Sequence, residues 1–411
     1  MEIKQRNHGD SKIYRISGEI PGCKPELRYV SMTFPDAKLM QHKPELAHMY
    51  EHMMLNYGRR NGMNDHLILS DCYVQSSGIV VSYWVRSTIK ESEEFVLNMV
   101  FNPVFDLDEL KSEKDVIKNE LYDDLYSEEE CFDIPRYMEY LMGLPKGLND
   151  VGKISDIDNI TIEDLLILKE KMRSSFYFIA FEYGPSDEST IDYNTPCGIS
   201  CKADINPPIS PIKLTIKKSY NDKCEVLLSW RRDGIRNMKE GFIEFYVMNS
   251  IFHYINTDNN ISFSVLSKLR KKGICYSLDS EDLSFFGNFA DCIHIASIGC
   301  DDYMKIKDEL FLCLDDITKR GIDKNEFDYA IDKYKTEIMD GSFEGYLDHI
   351  CFCIKNNIPN DMEVLRFINK LSNEELMDMF VDHISNYYKE KDVCILASSG
   401  ESNISDHSDI G

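Results

Sequence analysis

The sequence predicts an α+β protein of two similar domains, each a mixed, largely antiparallel sheet with helices on one side. Three observations carry this. Strand-like and helix-like segments mix without strict βαβ alternation. The order strands, helix, strand, paired helices, strand is run through twice over similar lengths. Between the two runs lies a stretch, 186–211, of Pro, Gly, Ser, Asp and Asn with few large apolar residues, the composition of a linker. The expected organisation is a first domain over 1–185, the linker, a second domain over 212–400 and a flexible tail over 401–411.

In the first half, Lys12–Ile16 and Leu27–Phe34 read as strands separated by the breaker Pro21-Gly22. Pro44–Tyr57 reads as a helix with Pro in its first turn and Gly58 just past its end. Gly78–Val85 is rich in branched and aromatic side chains and reads as a strand. Thr88–Asn102 and Asp106–Glu129 have helical spacing, and Thr161–Ser174 opens with Thr-Ile-Glu-Asp, a helix start. Phe176–Glu182 reads as a buried strand. The second half gives a strand at Cys224–Trp230, helices at Gly241–Tyr254 and Phe263–Lys271, and a strand at Asp291–Ile298. Helices at Asp302–Lys319 and Lys324–Ile338 follow, then a strand at Asp392–Ser398.

Composition narrows the partners. With 46 Lys and Arg against 71 Asp and Glu, the net charge of −25 repels phosphate backbones, and the basic clusters at 230–232 and 268–272 are short, so no nucleic acid is expected. The longest clean apolar run, Phe176–Phe181, is too short for a membrane span. The start, Met-Glu-Ile-Lys-Gln-Arg-Asn-His, lacks a signal-peptide core, so a cytoplasmic location is expected and the 13 cysteines read as reduced thiols.

One constellation carries chemistry. His48 and His52 lie one turn apart on the predicted helix, so both imidazoles can reach one ion, and Glu51 projects beside them. Leu46, Tyr50, Met53, Met54 and Tyr57 form an apolar stripe opposite. Two His are too few for a closed structural zinc site and suit a catalytic one, in the His-x-x-Glu-His order. A third ligand is expected on a helix. Glu113 and Glu120, two turns apart on one face of 106–129 and flanked by Val116, Ile117 and Leu121, are the candidates.

The stretch Glu45-Leu46-Ala47-His48-Met49-Tyr50-Glu51-His52 resembles the signature of the pitrilysin/insulinase family of zinc peptidases, and the chain is similar to its short two-domain type, the mitochondrial processing peptidase subunits. The family's Glu-x-x-x-x-x-x-Glu is matched by Glu113 to Glu120, 68 residues after His52. The resemblance implies one zinc ion per chain held by His48, His52 and Glu120. It further implies Glu113 in support, Glu51 as general base, and an endopeptidase cutting unfolded peptides such as a precursor or leader. Gly62-Met63-Asn64-Asp65 resembles the edge strand to which a bound peptide adds, with Asn64 as a substrate contact. Leu269 to Ser277 resembles the segment whose Arg and Tyr hold substrate, which points to Arg270 and Tyr276. Here they are six residues apart, one fewer than in the family. The family likeness also implies half of a clamshell chamber and hence a homo- or heterodimer with a related peptidase subunit. Its other class of member is a non-catalytic or partner-dependent subunit. Where the family has Gly three residues before the first His, this chain has Glu45.

Overall fold

The computed structural model describes residues 2–8, 11–17, 26–33, 43, 45–61, 72–76, 81–87, 99, 102–126, 154–174, 176–184, 213–218, 223–232, 241–285, 288–298, 303–340, 349–350, 353–354 and 358–399. These fall into two compact units, drawn from 1–205 and from 206–411. The expected linker 186–211, the tail 401–411, Asn64 and most of 88–102 lie outside the described residues.

The first unit contains strands β1 (Glu2–His8), β2 (Ser11–Ser17) and β3 (Glu26–Thr33), then helix α1 (Leu46–Arg60). Strands β4 (Cys72–Ser76) and β5 (Val81–Ser87) follow, then helices α2 (Leu107–Tyr126), α3 (Ile154–Ile157) and α4 (Ile162–Ser174), and strand β6 (Phe176–Gly184). The sheet runs β1-β2-β6-β3-β5-β4, with β2 and β6 parallel and every other pair antiparallel.

The second unit has β7 (Lys213–Lys218), β8 (Lys223–Arg232), α5 (Phe242–Thr257), α6 (Val265–Lys271), β9 (Ser277–Phe285) and β10 (Asn288–Ile298). Helices α7 (Tyr303–Arg320), α8 (Lys324–Asp340), α9 (Asp361–Ile368) and α10 (Asn373–Tyr387) precede β11 (Cys394–Ser399). Its sheet runs β7-β11-β8-β10-β9, with β7 and β11 parallel and the rest antiparallel. Apart from the added β1, this repeats the first unit strand for strand, in chain order and in direction. The internal duplication is therefore topological. In the second unit Val226, Leu228 and Trp230 of β8 join Ile251, Phe252, Phe327 and Phe380 of the helices in one buried core.

Several boundaries differ from the sequence reading. Gly58 does not end α1: it is buried inside the helix, which runs on to Arg60 and is closed by the Asn61 N–H bonding to the carbonyls of Tyr57 and Gly58. A buried glycine lets the neighbouring chain approach without requiring a break. Val116 is 39% exposed, while Ile117 and Leu121 are buried, so the apolar flank of α2 is narrower than expected. Strands β1, β4, β7 and β9 are additional, and all four are the outer strands of their sheets. An outer strand is held by backbone pairing along one side and needs no apolar alternation. Helices α9 and α10 are also additional. Each opens with a capping box, Asn360 with Glu363 and Ser372 with Glu375.

Candidate metal centre

Helix α1 is pinned by the side facing the core. Leu46, Ala47, Met49, Tyr50, Met53 and Met54 are fully buried, and the Tyr50 ring meets Phe105 edge-on, their centroids 5.4 Å apart. That burial fixes the rotation of the helix and hence where positions 48, 52, 56 and 60 point. These four, each one turn from the next, form a polar seam against α2. His48 faces Glu120, His52 and Asn56 face Glu113, and Arg60 faces Glu109 with Nε 3.0 Å from Oε1. The partners descend α2 as the seam ascends α1, so the two helices run antiparallel.

The imidazoles are held from behind. Nδ1 of His52 lies 2.7 Å from Glu113 Oε2, and Nδ1 of His48 lies 3.3 Å from Glu45 Oε2. A carboxylate only accepts, so each Nδ1 carries a proton, and in the neutral imidazole each Nε2 then presents a lone pair. The two Nε2 atoms stand 3.2 Å apart, and Glu120 Oε2 lies 3.3 Å from that of His48 and 3.5 Å from that of His52. With both imidazoles neutral, three acceptors converge, an arrangement that suits a cation. Ligands about 2.0–2.1 Å from a zinc ion at tetrahedral angles stand about 3.3 Å apart, and the observed separations match that spacing. His48, His52 and Glu120 are the one such donor cluster among the described residues. With the Glu120 side chain 47% exposed, the cluster is open on one side, as a catalytic site must be.

The surroundings of the cluster are negatively charged. Burial alone would lower the His48 pKa, but the hydrogen bond and charge of Glu45, with the charges of Glu51 and Glu120, outweigh it and raise the value above that of an ordinary histidine. Burial would raise the Glu113 carboxyl, but bonds from His52 and Asn56 prevail and hold it below the usual carboxylate range. Glu51 sits on the buried side of α1 at 9% exposure, within electrostatic reach of His48. Two supporting residues escaped the sequence reading: Glu45, one turn before His48, and Asn56, one turn after His52, whose Nδ2 donates to Glu113 Oε1 at 2.7 Å. The signal for Asn56 was its place in the series 48, 52, 56, and for Glu45 its spacing of three from His48.

In the second unit, Arg270 and Tyr276 are brought together. The Arg270 Nε donates to the Tyr276 carbonyl at 2.6 Å, and its guanidinium lies over the Tyr276 ring, 4.6 Å from the centroid. Gly273, at φ +67, ends α6 in the left-handed region and folds the chain back so that a separation of six suffices. Tyr276 is 79% exposed. Helix α5, the counterpart of α1, carries Asn249, whose Nδ2 donates to the fully buried Asp291 at 2.6 Å and whose Oδ1 accepts from Tyr388. The same topology thus holds a buried polar network there and an open cluster of possible ligands in the first unit.

The chain is similar to solved structures over nearly its whole length. It matches a protease from Helicobacter pylori over 97% of this chain and 99% of that one, with TM-score 0.61 and 11% identity. It matches an inactive M16 peptidase domain from Pseudomonas fluorescens over 98% of each chain, with TM-score 0.66 and 13% identity. The chain has the M16 peptidase fold. Pitrilysin shares that M16 fold at TM-score 0.60 and 12% identity, over 97% of this chain but 45% of pitrilysin. No protein-family model matches the sequence, and no curated protein matches it. Among the described residues no helix is long and apolar enough to cross a membrane.

Proposed function

We propose that this chain is a zinc metalloendopeptidase that cuts unfolded peptides, such as a precursor or leader. One observation carries the reading: the two Nε2 atoms and the Glu120 oxygen converge within 3.2–3.5 Å of one another as acceptors, beside a buried Glu51. His48, His52 and Glu120 would hold the metal, whose charge would polarise the scissile carbonyl and make water a competent nucleophile. Glu51 takes the proton of the attacking water on its carboxylate and passes it to the leaving amine. Glu113 keeps His52 in the tautomer that leaves Nε2 free. By likeness to the family, Arg270 and Tyr276 hold the peptide, Asn64 contacts it as an added strand, and the enzyme works as a dimer of processing-peptidase-like subunits in the cytoplasm.

A Glu51→Gln variant tests the reading. It should keep zinc and fold while peptide cleavage falls by roughly 10²–10⁴-fold, because the amide cannot accept the proton. Unchanged turnover in a metal-replete sample would remove Glu51 from the mechanism. The second reading, a non-catalytic subunit, draws on the inactive Pseudomonas fluorescens domain of the same fold. Zinc bound at one per chain with no peptidase activity, alone or mixed with a partner subunit, would favour it.

A further inference from the structure

We infer that Glu45 is a positioning residue of the metal centre: it holds the His48 ring through Nδ1, as Glu113 holds the His52 ring, so that both Nε2 lone pairs face Glu120. The inference rests on the metal-site reading above and concerns a residue outside the ligand set.

Glu45 occupies the N-cap position of α1, yet its side chain makes no capping hydrogen bond. Short side chains such as Ser, Asp and Asn are favoured there because their oxygen reaches the first free N–H groups. Starting the helix therefore does not account for a glutamate. Its Oε2 instead lies 3.3 Å from His48 Nδ1, and its side chain is only 13% exposed against 47% for Glu120. The backbone assists, because the Glu45 carbonyl accepts from the Met49 N–H at 2.9 Å and so locks the first turn. A residue three positions earlier on a helix shares the face of its partner, so the contact needs no other element. Glu113 reaches His52 from α2, whereas Glu45 reaches His48 from within α1. One histidine is thus set by tertiary packing and the other by its own helix. A neutral imidazole without such a partner can place its proton on either nitrogen, and a proton on Nε2 opposes a metal.

The competing account is that Glu45 only supplies negative charge at a helix N-terminus. Glu45→Ser and Glu45→Gln together separate the two: both remove the charge, but only serine is too short to reach Nδ1. Glu45→Gln is the rescue variant, since its amide oxygen can still accept from Nδ1–H. In metal-free protein with ¹⁵N-labelled histidine, under alkaline conditions, the wild type and Glu45→Gln should show His48 mainly protonated at Nδ1. Glu45→Ser should shift His48 toward the Nε2–H form. Zinc affinity, read by chelator competition, should fall about 10- to 100-fold in Glu45→Ser and distinctly less in Glu45→Gln. An unchanged His48 tautomer together with unchanged zinc affinity in folded Glu45→Ser overturns the inference, as does a change in thermal stability alone. If the wild type binds no zinc, the metal reading fails, while the tautomer spectra still decide whether Glu45 holds His48.

Discussion

Glu113 Oε2 lies 2.7 Å from His52 Nδ1, a contact between neighbouring helices whose residues are 61 apart in the chain. The other Glu113 oxygen accepts from Asn56 Nδ2, so one carboxylate ties a candidate metal-facing ring to the packing of α1 on α2. Its lowered pKa keeps it ionised, and therefore a pure acceptor, well into the acid range.

Glu113→Ala should lower zinc affinity about 10- to 100-fold without removing a ligand, because the His52 tautomer and ring angle are no longer fixed. Glu120→Gln should lose more, since a ligand is gone. Chelator competition ranks the two; equal affinities in Glu113→Ala and wild type would dismiss the support role.

The raised His48 pKa sets a pH dependence. Zinc must displace the His48 proton, so apparent affinity should begin to fall at a higher pH than for a histidine of ordinary pKa, about 6.5. In the metal-free protein the sign is opposite. A raised folded pKa stabilises fully below the unfolded value, and the stabilisation is lost as pH rises through the folded one. Because the His48 side chain is 35% exposed, solvent screening keeps that term small. Zinc titrations and metal-free melting curves across this range check both trends, and parallel trends would contradict the account.

Ser372→Ala removes the hydroxyl that accepts from the Glu375 N–H at the start of α10. The expected cost is about 1 kcal/mol, seen as a small drop in the denaturation midpoint with the first unit's zinc binding untouched. A loss of zinc affinity in this variant would mean that the second unit conditions the centre.

The clasp of Arg270 on Tyr276 leaves the tyrosine 79% exposed and available to a peptide. We propose that the dimer is a homodimer in which Tyr276 serves the partner's zinc. Glu51→Gln and Tyr276→Phe homodimers should each be slow, and exchanging their subunits should restore activity by making one intact site. A mixture that exchanges subunits yet remains slow would rule out this arrangement and favour a heterodimer.

The strands whose residues alternate or are apolar throughout, β2, β3, β5, β6, β8, β10 and β11, were legible because central strands must bury side chains. The outer strands β1, β4, β7 and β9 were not, because main-chain pairing holds them whatever their side chains. Helices α9 and α10 were missed although Asn360–Glu363 and Ser372–Glu375 spelled their starts.

For the centre, the sequence determined what one helix can determine. A spacing of four puts His48 and His52 on the same face, and a spacing of seven does so for Glu113 and Glu120, since 3.6 residues make a turn. The tertiary structure decided the division of labour between the two glutamates. Docking α2 antiparallel on α1 brings Glu120 to the Nε2 atoms and Glu113 to the far nitrogen of His52. It also left Val116 to solvent. Helical periodicity is a local property of the backbone, whereas which side of an imidazole a carboxylate meets depends on how two buried faces pack, and that is fixed by residues far apart in the chain.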